Sequence, residues 1–175
     1  DGLDISVPLR SGGVLDELPD GTDVPTYQDK LLELEALLRD LPTGDEFAAE
    51  YERLAGEVIR LCFYKHFTNI EPRCRNLDGV IIRDWVASNR ARSGFWEMVR
   101  QRYQATQVVW ECKNYEDLGA DVFQQLAYYM NDVSGLFVVV SFRGERKKRY
   151  NYHIKRISEL RKGAVLLLED DDLIT

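Results

Sequence analysis

The chemistry of this chain is concentrated in Val108-Val109-Trp110-Glu111-Cys112-Lys113-Asn114-Tyr115. The apolar run over 107–112 (QVVWEC) predicts a strand, and an acid at the end of such a strand costs free energy if it is buried unpaired. The period of two puts Glu111 and Lys113 on one face and Cys112 on the other. A carboxylate and an ammonium then sit side by side at a strand end. Upstream, Asp78 opens a second predicted strand, 78–85 (DGVIIRDW), just after a bend. If the two strands pair, Asp78 and Glu111 converge on one divalent cation. Hard cations such as Mg²⁺ take that kind of oxygen site, completed by waters and substrate phosphate.

Other ligand chemistries are poorly represented. Cys62, Cys74 and Cys112 are an odd number with no CxxC pair, which argues against a disulfide framework and a Cys-based zinc site. Reduced thiols in a cytosol are the plain reading, so a cytoplasmic protein is expected. His66 and His153 form no ligand pair at metal-binding spacing. Any metal is therefore expected to be held mainly by oxygen.

The surrounding pattern supplies elements that position these residues. Residues 1 to about 25, rich in Gly, Pro and Asp, read as an irregular lead-in. Leu31, Leu34, Leu37, Leu38 and Leu41 predict an amphipathic helix over 27–41, ended by Pro42. Thr43 or Asp45 is expected to cap a second helix, with Tyr51, Leu54, Val58 and Ile59 on one face, to about Tyr64. Strands are predicted at 69–75 and 78–85, a loop over 86–93, a helix over 95–103, then the 107–112 strand. A helix over 118–132, a central strand over 136–142 (LFVVVSF), a helix over 150–162 stopped by Gly163, and a buried strand over 164–168 complete the chain. This order predicts an α/β sandwich with a mixed central sheet. The expected organisation is an acidic lead-in and helical arm at 1–42 and one domain at 43–175. Residues 169–175 read as the start of an element in a longer chain.

Charge is unevenly distributed. The 175 residues carry a net −7, but 1–59 hold 4 Lys/Arg against 15 Asp/Glu, while 60–168 hold 19 against 11. A basic body behind an acidic arm suits attraction to phosphate backbones, and equally suits plain solubility. The longest apolar run, Leu136 to Val140, is far short of the roughly 18 residues a membrane helix needs, so no membrane contact is expected.

An Asp on one strand followed by Glu-x-Lys on the next resembles the PD-(D/E)XK superfamily of restriction-endonuclease-like nucleases. The helix Tyr51-Glu52-Arg53-Leu54-Ala55-Gly56-Glu57-Val58-Ile59 is similar to that family's first core helix. Gln125-Leu126-Ala127-Tyr128-Tyr129-Met130 resembles its QLxxYL helix. The resemblance covers about residues 45 to 168 and is nearest to Mrr-type and defence-associated effector nucleases. Two features depart from the pattern. Leu77 precedes Asp78 where many members have Pro, and Val86 to Thr106 reads as an inserted loop and helix.

The resemblance implies a restriction-endonuclease-like α/β/α sandwich and Mg²⁺- or Mn²⁺-dependent hydrolysis of phosphodiester bonds in DNA, RNA being the other substrate, with a role in restriction or anti-phage defence. It implies that Asp78, Glu111 and the backbone carbonyl of Cys112 hold the metal. Lys113 would orient the attacking water or stabilise the developing anion, and Gln125 would position Lys113 or that water. Glu52, with Glu57 as the competing choice, would assist from the helix. Arg73, Arg75, Arg83, Arg143, Lys147, Lys148 and Arg149 would track the nucleic-acid backbone. A homodimer and a fused or regulating module are implied partners. Plainer roles exist for each residue: an Asp78-Gly79 turn, a surface Glu111–Lys113 ion pair, a solvated Glu52, a locally bonded Gln125 and a solvated basic loop. The alternative function is a catalytically silent nucleic-acid-binding or protein-interaction module, its acidic arm serving as a docking or autoinhibitory element.

Overall fold

The computed structural model describes residues 25–75 and 82–174. Asp78 and the first part of the 78–85 strand lie outside the described residues. The elements are α1 (Tyr27–Asp40), α2 (Ala48–Phe63), β1 (Phe67–Arg75), β2 (Ile82–Asn89), α3 (Gly94–Arg102), β3 (Gln107–Lys113), α4 (Ala120–Tyr129), β4 (Phe137–Phe142), α5 (Tyr150–Arg161), β5 (Ala164–Glu169) and α6 (Asp170–Ile174). One five-stranded open sheet runs in the order β1-β2-β3-β4-β5. The first three strands are mutually antiparallel, while β3, β4 and β5 are parallel. The protein is α/β with a mixed sheet, as the element order predicts.

Helices cover both faces, and the strand alternation explains why. Trp85, Ala87, Val108, Trp110, Phe137 and Val139 pack with α1, α2, α3 and Leu173 of α6. Val86, Val109, Val138, Val140, Phe142 and Leu167 pack with α4 and α5. Every residue of β4 is buried, which is the signature of a strand covered on both sides. It is an interior strand but not the middle one, a place that belongs to β3. β1 is an edge strand and carries Pro72 and a register shift between Thr68 and Glu71, irregularities that an edge tolerates.

Local signals account for the helix ends. Thr26 accepts from the Asp29 amide while the Asp29 carboxylate accepts from the Thr26 amide, a capping box that starts α1. Neither Thr43 nor Asp45 caps α2. A single 3₁₀ turn, Asp45–Phe47, leads into it instead, after Gly44 turns the chain at φ +121°. Lys162 takes the left-handed conformation that ends α5, one residue before the expected Gly163 stop.

Two boundaries differ in ways that matter for the site. β2 continues through Val86-Ala87-Ser88-Asn89, where the polar tail suggested a loop. Ala87 and Ser88 pair with Val108 and Gln107, so the segment between the two strands is 90–106. Residues 170–174 form the short helix α6. Leu173 is buried in the core beside Leu34 and Leu38.

Gly56 is the contact on which the helical layer closes over β2. A Cβ there would lie 1.9 Å from Trp85 Cζ2, and the Trp85 indole N–H donates to the Glu52 carbonyl at 2.8 Å. Ordinarily Gly→Ala inside a helix stabilises by about 1 kcal/mol. Here the clash wins. Gly56→Ala is expected to destabilise by about 1–3 kcal/mol, read as a lower urea midpoint. An unchanged midpoint would show that α2 rides free of Trp85.

Candidate active site

The strands part where the acids lie. The β2–β3 ladder runs from Ser88↔Gln107 to Trp85↔Trp110. Beyond it, Ile82 and Arg83 stay paired with β1, opposite Arg75 and Cys74. β3 stays paired with β4 through Lys113↔Phe142. In this fork the Asp84 carboxylate accepts from the Cys112 amide at 2.8 Å, so a side chain takes up a backbone donor of β3.

Glu111 sits beside it, 1 % exposed. Its Oε1 accepts from Lys113 Nζ at 2.6 Å and from Gln125 Nε2 at 2.9 Å. Its Oε2 accepts from the Tyr129 hydroxyl at 2.9 Å. That hydroxyl also lies 3.2 Å from the Ile82 carbonyl oxygen, which places Tyr129 inside the fork. Among the described residues three donors meet a carboxylate with about four acceptor directions, and the remaining direction is on Oε2. The i, i+4 spacing of Gln125 and Tyr129 on α4 delivers both from one helix face.

The electrostatics single out Asp84. Its carboxyl is raised from 3.8 to about 7, first by desolvation and then by the negative charge of Glu111. The Cys112 amide offsets part of the rise, and Glu52 adds to it. Burial works against the Lys113 ammonium, but Glu111 and Asp84 outweigh it and its proton is held more tightly than usual. Burial, and then Asp84, push the Cys112 thiol far up, so that sulfur is no nucleophile.

Glu111, Lys113 and Gln125 are thus brought together as the sequence predicts. Of the two helix carboxylates, Glu52 faces the site, since its charge reaches Asp84 and Cys112. It also pairs with Arg73 at 3.5 Å. Glu57 pairs with Arg60 one turn along α2. The acid set against Glu111 among the described residues is Asp84, which sequence reasoning placed in the strand without assigning a role. The signal was available: Asp84 is a charged residue followed by Trp85-Val86-Ala87, the same argument that singled out Glu111.

The basic residues divide by burial. Arg143 is not presented to solvent. Its side chain is 8 % exposed, pairs with Asp170, donates to the Leu38 carbonyl and lies over the Tyr51 ring. It is a tie between α1, α2, β4 and α6. Lys147 and Arg149 pair with exposed Asp117, and Lys148 is exposed. Arg83 lies over the Tyr129 ring at 5.9 Å, beside the site.

The donor set fits a hard divalent cation. Two carboxylates, one still holding a proton near neutrality, meet beside the Cys112 backbone, and Mg²⁺ commonly uses only one or two carboxylates with waters and phosphate. Among the described residues, no group of three or more His, Cys, Asp or Glu side chains stands ready to hold a metal.

Comparison with known proteins adds one partial relative. Over 108 residues, 62 % of its length, the chain is 33 % identical to a protein of Escherichia coli (strain K12) named "Putative transposon gamma-delta 80.3 kDa protein". The chain spans 15 % of that protein's length. No family profile and no solved structure matches. No helix among the described residues is long and apolar enough to cross a membrane.

The raised Asp84 carboxyl sets a pH dependence. The folded protein keeps a proton that the unfolded chain releases at 3.8, so stability falls as pH rises from about 4 to about 7. Asp84→Asn removes that titration. In EDTA the variant is expected to match wild type near pH 4 and to exceed it at pH 8 by on the order of 4 kcal/mol, read by urea unfolding. Equal stability at pH 8 would show a solvated carboxyl.

Proposed function

We propose that the chain is a metal-dependent nuclease domain of the restriction-endonuclease-like superfamily, acting on phosphodiester bonds in DNA, with Asp84, Glu111 and Lys113 at its centre. The observation that carries this reading is the β2–β3 fork, where Asp84 meets the Glu111–Lys113 pair and Gln125. A relative named for a transposon is in keeping with a chain that handles DNA. An effector role in restriction or anti-phage defence, as a homodimer or beside a regulating module, belongs to the same proposal.

In the reaction, a water oxygen bonds to phosphorus and the P–O3′ bond breaks, leaving a 5′-phosphate and a 3′-hydroxyl. Asp84, Glu111 and the Cys112 carbonyl would hold Mg²⁺ or Mn²⁺, which supplies a more acidic water and offsets charge on the scissile phosphate. Lys113, already held on Glu111, aims an ammonium at that phosphate as negative charge grows. Gln125 and Tyr129 fix the Glu111 carboxylate so that neither oxygen must reorganise. Glu52 adds negative charge behind Asp84, which strengthens the pair's demand for a cation.

Plasmid nicking in Mg²⁺, Mn²⁺ or EDTA tests this. Wild type is expected to cut only with metal, and Asp84→Ala and Lys113→Ala to lose at least about 100-fold in rate. Lys113→Ala should keep DNA binding. Asp78→Ala decides between the two acids: cutting lost in Asp78→Ala and kept in Asp84→Ala would give the metal-binding role to Asp78, and the reverse would give it to Asp84. A folded protein that cuts under no metal would be a silent binding module instead.

A further inference from the structure

Most cations at the site end of the sheet are paired, exposed Lys148 being without an acidic partner among the described residues. At the site end, Arg73, Arg143, Arg146, Lys147 and Arg149 each have an acidic partner. At the other end, Lys65, Arg90 and Arg92 are exposed and have no acidic partner among the described residues. Pairing of Phe67 with Asn89 brings the turn after α2 against the loop after β2, and the Arg90 amide donates to the His66 carbonyl at 2.8 Å. That loop is held firmly. Asn89, 3 % exposed, donates to the Trp96 carbonyl and accepts from the Ala91 amide, and Arg100 donates to the Ala91 carbonyl.

Two rings flank the cations. Tyr64 is 59 % exposed and Phe95 48 %. Lys65 Nζ lies 5.7 Å from the Tyr64 ring centroid, and the Phe95 ring meets Trp96 edge-on at 5.0 Å; Phe63 and Trp96, the residues beside them in sequence, are in edge contact at 5.4 Å. Rings interleaved with unpaired cations suit a single-stranded nucleic acid, whose phosphates seek the cations and whose bases stack on the rings. A duplex keeps its bases stacked inside and offers the rings nothing.

We propose that Tyr64, Lys65, Arg90, Arg92 and Phe95 form a platform for single-stranded DNA at the end of the sheet opposite the Asp84–Glu111 fork. It deepens the nuclease reading by giving the substrate strand a second hold, and rests on that reading for its choice of DNA. Asp84 and Asn89 are five residues apart in one strand, about 17 Å at the ~3.3 Å rise per residue. That is the length of about five stacked nucleotides at ~3.4 Å each.

The test is fluorescence anisotropy with a ~20-nucleotide oligo-dT in EDTA, at several salt concentrations, where no cleavage intervenes. Lys65→Ala/Arg90→Ala/Arg92→Ala is expected to bind at least about ten-fold more weakly, with the salt slope reduced by about 2, three phosphates at ~0.7 each. Tyr64→Ala/Phe95→Ala is expected to lose about ten-fold without a change of slope, and to bind a duplex of equal length as wild type does. The three cations are exposed, so the triple variant should melt with wild type; Phe95 also meets the Trp96 and Phe137 rings, so for the ring variant the unchanged duplex binding and salt slope are the control for folding. Oligo-dT binding that is absent in wild type, unchanged in both variants, or equalled by duplex with the rings irrelevant would overturn the platform. Platform variants that lose oligo-dT while wild type never nicks plasmid would sink the nuclease reading and leave the platform standing. Nicking without oligo-dT binding would do the reverse.

Discussion

A carboxylate withdrawn from water has to be compensated on the spot, and Glu111 shows how fully this fold does so. Lys113 supplies charge, while Gln125 and Tyr129 supply two further hydrogen bonds from the next helix. Removing any one donor would leave a buried acceptor short, at a cost of about 1–3 kcal/mol. This requirement ties β3 to α4 and fixes the face that α4 must present. The same helix buries Val122, Phe123 and Leu126 against the sheet, so the polar face can be held in register only because the apolar face is.

The second constraint is that Asp84 must approach without a helix donor of its own. Among the described residues its hydrogen bond comes from the Cys112 amide, which the parting of β2 and β3 makes available. Two acids with three side-chain donors shared unequally are an incomplete structure. The proton retained by Asp84 near neutrality is the consequence, and a cation bound between the two acids would displace it. Trp85 anchors this arrangement from the opposite face, pressed on Gly56 and bonded to the Glu52 carbonyl. Thus the residue beside Asp84 in sequence also determines how near Glu52 comes.

How much of this could be read from residues follows from the range of each interaction. Glu111, Lys113 and Gln125 were legible because strand and helix periodicities are local and strong. The helix of Tyr51 to Ile59 was legible for the same reason. Asp84 was passed over because it stands inside the apolar run that Asp78 opens; Asp78 itself lies outside the described residues. Which acid opposes Glu111 depends on pairing register, and register depends on β1 and β3 together. Val86 to Asn89 looked like a loop because Ser88 and Asn89 are polar, yet Asn89 is buried, donating to the Trp96 carbonyl of α3 and accepting from the Ala91 amide. Arg143 looked like part of a basic loop because its partner, Asp170, is 27 positions away and contributes only through α6 packing.

Burial also decides what the basic body can do. Ion pairs half-open to water are worth little, so Asp117 can give up Lys147 and Arg149 to a phosphate at small cost. Arg143 cannot move in the same way. Freeing it would strand Asp170 and the Tyr51 hydroxyl, which donates to that carboxylate. A sum of charges along the chain treats these arginines alike, whereas the fold assigns one to architecture and leaves others exchangeable. The acidic segment at the end of the chain is likewise structural in part: Asp170, Asp172 and Glu169 bind Arg143 and Arg146 and so hold α6 across the ends of β4 and β5. The net negative charge of the whole chain and a phosphate-binding surface are therefore compatible, because much of the acid at the site end neutralises cations of the protein itself.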